Sequence, residues 1–295
     1  MKSRAKYVAL LIVPFMCLTA FAADAKLDTA KIEQLTGAKG KMDEKEGAFK
    51  VSFPRSDLKV TAAGVRMTPP LGLACWAAFK NIGDHTIVMG DQCLLEDQVN
   101  PVMSVALENG LEVTALHNHF TNDTPKVMFM HIGGMGDQDH LASAIGKVFA
   151  KIKSTAGGSG EIEKADIDPS KSTLDPKPIE QIIGQKGEAT AGVFKITIGR
   201  TTKMMDHEMG STMGVNTWAA FAGSDDKAIV DGDFAMYENE VQPVLKALRG
   251  ANINIVAIHN HMIGENPRVV FLHFWGVGAT SDLAKGLKSA LDTQK

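Results

Sequence analysis

The sequence predicts an α+β fold made twice: a domain with an antiparallel sheet covered by helices, followed by its tandem duplicate. Three observations predict it. Short β-rich runs alternate with helical periodicities in the order ββ-α-ββ-α. The same blocks recur later in the chain, and a stretch rich in Gly, Ser, Asp and Pro lies between the copies.

In the first copy Asp28–Leu35 reads as a short helix and Ala48–Phe53 as a strand. Trp76–Phe79 and Ile87–Met89 read as a hairpin folded about Asp84. Glu96 to Asn109 carries Val99, Val102, Met103 and Ala106 at helical spacing, and Gly110 is a natural stop. Pro101 is expected in the first turn, where its missing N–H costs nothing. Leu111–Phe120 and Lys126–Ile132 are β-rich and flank a turn-forming cluster, Thr121-Asn122-Asp123-Thr124-Pro125. Gly133-Gly134-Met135-Gly136 reads as a tight turn. It lacks the Lys-Ser/Thr of a P-loop and the ordered glycines of a dinucleotide turn. Asp137 to Lys151 is a second amphipathic helix.

The duplication is legible residue by residue. Ile32-Glu33-Gln34 recurs as Ile179-Glu180-Gln181, and Trp76-Ala77-Ala78-Phe79 as Trp218-Ala219-Ala220-Phe221. Gly90-Asp91 matches Gly232-Asp233, while Glu96, Val99 and Pro101 match Glu238, Val241 and Pro243. His117-Asn118-His119 recurs as His259-Asn260-His261, each followed by Pro, Val, Phe and His: Pro125, Val127, Phe129, His131 and Pro267, Val269, Phe271, His273. From Trp76 onward the offset is constant. The expected division is residues 1–22 as a signal peptide, 26–153 as the first repeat, 154–178 as a linker and 179–293 as the second repeat.

Length and charge bound the function. A chain of 295 residues suggests two domains, at roughly 100–200 residues each. Lys+Arg 31 against Asp+Glu 34 gives no field to attract nucleic acid. Lys2, Arg4 and Lys6, an apolar run from Tyr7 to Leu18, and Ala20-Phe21-Ala22 have the layout of a signal peptide, which implies a periplasmic or secreted protein. An uncleaved anchor is the alternative, and no later segment reads as a membrane span. Cys17 is preceded by Pro14-Phe15-Met16, which lacks the small residues of a lipidation site. The other two cysteines, Cys75 and Cys93, flank the hairpin and are expected to face each other, as a disulfide or as two buried thiols.

The histidines carry the sharpest chemical signal. His117 and His119 are two apart on an expected strand and so share a face. If the hairpin turns about Asp123, His131 points to that face as well. Three imidazoles from two adjacent strands suit a divalent transition metal with an open position, and the duplicate offers His259, His261 and His273. Zn is placed first, with Cu, Fe, Mn or Ni accepted by the same donors. A structural polar cluster and metal-free acid–base chemistry are the competing readings. Asp91 and Asp233, or Glu96 and Glu238, are candidates for a further ligand, a partner orienting a histidine, or a general base. Helix capping is the simpler role for the glutamates, and Trp76 and Trp218 read as core. The chain contains neither a Gly-x-Ser-x-Gly elbow nor a His-Glu-x-x-His helix.

The paired blocks Trp-Ala-Ala-Phe, Gly-Asp, Glu-x-x-Val-x-Pro-Val and His-Asn-His…Pro-x-Val-x-Phe-x-His resemble the bacterial family named after the lipoproteins LppY and LpqO. The resemblance runs from Ile32 to Leu291 and implies an exported protein built from a repeated domain of unknown function. It supplies no reaction. The function expected is metal binding or handling at one three-histidine site per repeat. The alternatives are a metal-dependent hydrolase or hydratase that activates water, and a metal-free module binding a small molecule. Whether the chain is an enzyme, and its oligomeric state, stay open.

Overall fold

Period-two runs become strands and the 3.6-residue periodicities between them become helices that cover one face of the sheet. The computed structural model describes residues 26–156 and 164–294. The expected signal peptide, Cys17 and the glycine-rich part of the expected linker lie outside them. The first half contains strands β1 (Gly40–Asp43), β2 (Ala48–Pro54), β3 (Ala74–Ile82), β4 (His85–Leu95), β5 (Glu112–His117) and β6 (Val127–Gly136). Its helices are α1 (Thr29–Thr36), α2 (Glu96–Glu108) and α3 (Gln138–Ser154). The second half repeats the plan with β7 (Gly187–Thr190), β8 (Val193–Gly199), β9 (Asn216–Gly223), β10 (Ala228–Tyr237), β11 (Asn254–His259) and β12 (Val269–Gly278). Its helices are α4 (Pro176–Ile183), α5 (Val241–Gly250) and α6 (Thr280–Leu291). The fold is α+β and tandem-duplicated.

These strands form one 12-stranded sheet in the order β1-β2-β3-β4-β6-β5-β11-β12-β10-β9-β8-β7. All its pairings are antiparallel. The order reads the same from either edge, so the halves meet at the centre as a pseudo-two-fold pair. The helices contact one another in the sequence α1, α3, α2, α5, α6, α4, and a single apolar core runs beneath them through both halves. The opposite face is only partly covered. β3 buries Cys75, Ala77 and Phe79 towards the helices and sets Trp76, Ala78 and Lys80 on the open side.

The seam itself has little ladder. β5 and β11 are paired only through Leu116 and Ile258. Each of these strands carries a β-bulge, between Val113 and Ala115 in β5 and between Ile255 and Ala257 in β11. The backbone groups at each bulge are taken up by an amide side chain from the other half. Asn100 of α2 accepts from Ile255 N–H at 2.7 Å and donates to Ile255 C=O at 3.2 Å. Gln242 of α5 accepts from Val113 N–H at 3.0 Å and donates to Val113 C=O at 2.8 Å. A buried backbone group left without a partner costs free energy, so a side chain here completes the sheet.

Four expectations need correction. Pro101 lies in the second turn of α2, not the first. Gly133-Gly134-Met135-Gly136 is no turn: all four residues belong to β6. A Cβ at Gly134 would come within 3.0 Å of the Leu141 side chain, and one at the equivalent Gly276 within 2.9 Å of Leu283. Glycine lets α3 and α6 pack close onto the sheet. Trp76 and Trp218 are not core but half-buried on the open face, with Lys50 Nζ 4.0 Å and Lys195 Nζ 4.2 Å from their ring centroids. Finally, Cys75 and Cys93 do not face each other; of the two expected states they are the free, buried thiols and not the disulfide. The hairpin pairs Ile82 with His85 and Trp76 with Asp91, which centres it between Gly83 and Asp84. In that register Cys75 is opposite Gln92, and a one-residue slip places Cys93 on the other face.

Two outcomes follow from these contacts. Asn100→Ala and Gln242→Ala should each lower the unfolding free energy by about 2 kcal/mol in urea titrations, since each strands two backbone groups; losses within the error of the titration would mean that water replaces the amides. Burial pushes the Cys75 thiol up to about 12 and raises that of Cys93 as well. Neither should react with iodoacetamide at pH 8 in the folded protein, and both should react in urea.

Candidate metal centre

The registers align one residue from each strand in a row across the open face. In the first half the row is Ser52, Trp76, Asp91, His131 and Ala115. In the second it is Thr197, Trp218, Asp233, His273 and Ala257. His117 is opposite Phe129 in β6, and His259 is opposite Phe271 in β12. Pairing of His117 with Phe129 centres the hairpin on Asp123, so His117 and His131 share a face as expected. The strand ends at His117, and His119 follows it in the loop. Its ring nevertheless stacks flat on Phe129, with 3.4 Å between centroids and 3° between planes. His261 does the same on Phe271, at 3.4 Å and 9°. These phenylalanines, whose role the sequence did not show, hold the loop histidines to the strand.

The three imidazoles converge in both halves. His117 lies 5.2 Å from His119 and 5.1 Å from His131, ring centre to ring centre. His259 lies 5.1 Å from His261 and 4.6 Å from His273. An aspartate joins each group. Asp91 Oδ2 is 3.9 Å from His119 Nε2 and 4.0 Å from His131 Nε2. Asp233 Oδ2 is 3.5 Å from His261 Nε2, and its Oδ1 is 3.9 Å from His273 Nδ1. One donor atom each from Asp233, His259 and His261 falls within 4.8 Å of the others. Glu96 and Glu238 do not join: they line two pockets at the seam, where Glu238 lies 3.6 Å from Arg268.

These separations are longer than the roughly 2.7–3.2 Å of a hydrogen bond. Ligands on one tetrahedral ion, at about 2.0–2.2 Å from it, sit roughly 3.3–3.6 Å apart. The Asp233–His261 separation of 3.5 Å is at that spacing, and the other three, at 3.9–4.0 Å, are slightly wider. Two buried polar atoms at the sites lack a partner among the described residues, Asp91 Oδ1 and His259 Nδ1. Three imidazoles, one carboxylate and orphaned donors fit a divalent transition metal.

Electrostatics point the same way. Burial lowers the His259 pKa to about 4, with His273 and His261 adding to the shift. Burial also lowers that of His119, against the pull of Asp91. Burial raises the Asp233 carboxyl above the usual range, only partly offset by His273 and His261. Neutral imidazole is the form that binds metal, and a bound cation would favour the charged form of the aspartate.

A family model described as Domain of Unknown Function (DUF1259) matches residues 30–151 and again residues 177–293. No curated protein matches the chain. Among solved structures, a trimeric bacterial microcompartment shell protein PduB aligns over 86% of this chain and 89% of its own, at 11% identity and a TM-score of 0.23. That score is too low for any inference.

The shift at His259 fixes the sign of a pH effect. Its folded pKa of about 4 lies below the ordinary 6.5, so the unfolded chain takes up the proton more readily. The stability it contributes is present above pH 6.5 and lost as pH falls towards 4. In chelator-treated protein, His259→Gln should therefore flatten the fall of Tm across that window; a slope equal to wild type would show that His259 titrates normally.

Proposed function

The chain belongs to the family described as Domain of Unknown Function (DUF1259), in two tandem copies, and on that premise we propose that each copy binds one divalent transition-metal ion. His117, His119, His131 and Asp91 hold the first ion, and His259, His261, His273 and Asp233 the second. The observation that carries this reading is the spacing of carboxylate and imidazole donors, 3.5–4.0 Å at equivalent positions of both halves. A carboxylate and neutral imidazoles held close, yet beyond hydrogen-bond length, present lone pairs to a common point where a cation fits. Zn is placed first because three imidazoles and a carboxylate suit its tetrahedral preference; Cu, Fe, Mn and Ni follow.

We read the role as metal binding or handling in the periplasm or outside the cell. Support for export comes from the basic and apolar N-terminal run with Ala20-Phe21-Ala22, and from the resemblance to the LppY and LpqO lipoproteins. Among the described residues no helix is long and apolar enough to cross a membrane. A second reading, water activation for hydrolysis or hydration, draws on the exposure of the rings: 32–43% of each side chain of His119, His131, His261 and His273 is open to solvent. An ion there has a side that water reaches.

Elemental analysis of untagged protein, purified without chelators from a periplasmic fraction, tests the proposal. About two equivalents of one metal are expected, as two sites require. Triple alanine replacement of His117, His119 and His131 should leave one, and the same at His259, His261 and His273 should leave the other. Protein that takes up none of Zn, Cu, Fe, Mn or Ni on reconstitution would overturn the reading.

A further inference from the structure

Because β5 and β11 are joined only at Leu116 and Ile258, each end of the seam opens into a pocket between the halves. The two pockets are pseudo-symmetric but have diverged. One has a volume of about 310 Å³ and is lined by Asn254, Val256 and Trp275 of the second half, with Glu96 and Lys126 of the first. The other reaches about 470 Å³ and is lined by Glu112 and Thr114 of the first half, with Glu238, Arg268, His259 and Asn260 of the second. By the repeat, Glu112 corresponds to Asn254 and Gly133 to Trp275. The larger pocket thus gains a carboxylate where its twin has an amide, and no indole fills it. Its volume is ordinary for a small-molecule site, about 300–1,000 Å³.

We propose that this larger seam pocket binds a small zwitterion, an amine-bearing carboxylate of the amino-acid type, held between the halves. The charges come from different halves. Arg268 of the second half lies in the loop just before β12, and its only ion pair among the described residues is the 3.6 Å contact with Glu238. That distance holds no hydrogen bond, so the planar guanidinium keeps its paired donors for a ligand carboxylate. Glu112 stands on the first half's strand, exposed, and makes no ion pair among the described residues; it takes the ammonium. Thr114 and Asn260 offer further hydrogen bonds beside them. Gln242, fixed by its two bonds to Val113, also lines the pocket. His259 on its wall brings the ligand to the edge of the second metal centre, but the charge complementarity does not require an ion.

Calorimetric titration of the chelator-treated protein with glycine, L-serine, L-leucine, propionate and propylamine tests this. Metal-free protein keeps the result separate from the metal reading: loss of either leaves the other standing. Saturable binding of one or more of the amino acids is expected, with propionate and propylamine at least tenfold weaker. Arg268→Gln and Glu112→Gln should each weaken binding at least tenfold, and Lys126→Gln, in the twin pocket, should not. Both exchanged side chains are exposed, and an unchanged Tm would show that the fold is intact. No saturation by any amino acid at millimolar concentration, or wild-type binding by the two pocket variants, would overturn the proposal.

Discussion

Everything at the centre of this molecule depends on two bulges and the amides that hold them. Without the extra residue at Thr114, the register that pairs Val113 with Ile132 would continue, and His117 would share the helix-covered face with Val113. The bulge shifts the ladder by one, so Leu116 turns inward and His117 turns to the open face beside His131. Val256 does the same for His259. A one-residue shift exchanges the faces of a strand completely. Gln242 and Asn100 satisfy the backbone at these points, and each comes from the opposite half. Neither half positions its strand histidine alone, which gives a physical reason for two copies to remain fused across one sheet.

The two centres share a second feature, a buried carboxylate beneath partly exposed rings. Asp91 is 7% exposed and Asp233 is 3% exposed, so each is largely stripped of water without a full set of hydrogen bonds. Such a group is expensive unless a cation stands near it. The imidazoles do not serve as that cation where burial and mutual repulsion keep them neutral, as at His259. Flat stacking on Phe129 and Phe271 limits how far the loop histidines can turn away. In the second site the buried carboxylate thus stands beside an imidazole that burial keeps neutral, an arrangement that favours a further positive charge.

Much of this was legible in the sequence, and the failures have identifiable causes. The duplication, the helix positions and the convergence of six histidines follow from identities and period-two parity. The reading of His117 and His131 succeeded because it counted from the Asp123 turn, downstream of the bulge. Counting from Val113 would have failed, and the sign of it is that the buried residues Val113 and Leu116, like Ile255 and Ile258, are three apart within a strand. The cysteine expectation erred by half a residue in the hairpin centre, enough to change faces. Comparison of the copies passed over the clamps because Asn100 and Gln242 are different residues with the same amide chemistry. Gly133 and Gly134 read as a turn because helix packing on a strand is a tertiary demand that local composition does not show.

Divergence between the copies then separates what the fold needs from what a ligand selects. The metal donors, the stacked phenylalanines, the tryptophan beside each aspartate and the lysine over each indole are the same in both halves. The walls of the seam are not: Glu112 stands against Asn254, Thr114 against Val256, and Gly133 against Trp275. Packing alone would press the two ends of a pseudo-symmetric seam towards similar solutions, because both are closed by the same amide clamp and the same strand crossing. One end carries Asn254, Val256 and Trp275 and is smaller, while the other has Glu112 and Thr114 at the equivalent places and no indole. Backbone architecture does not require that difference, and the proposed ligand gives it a reason.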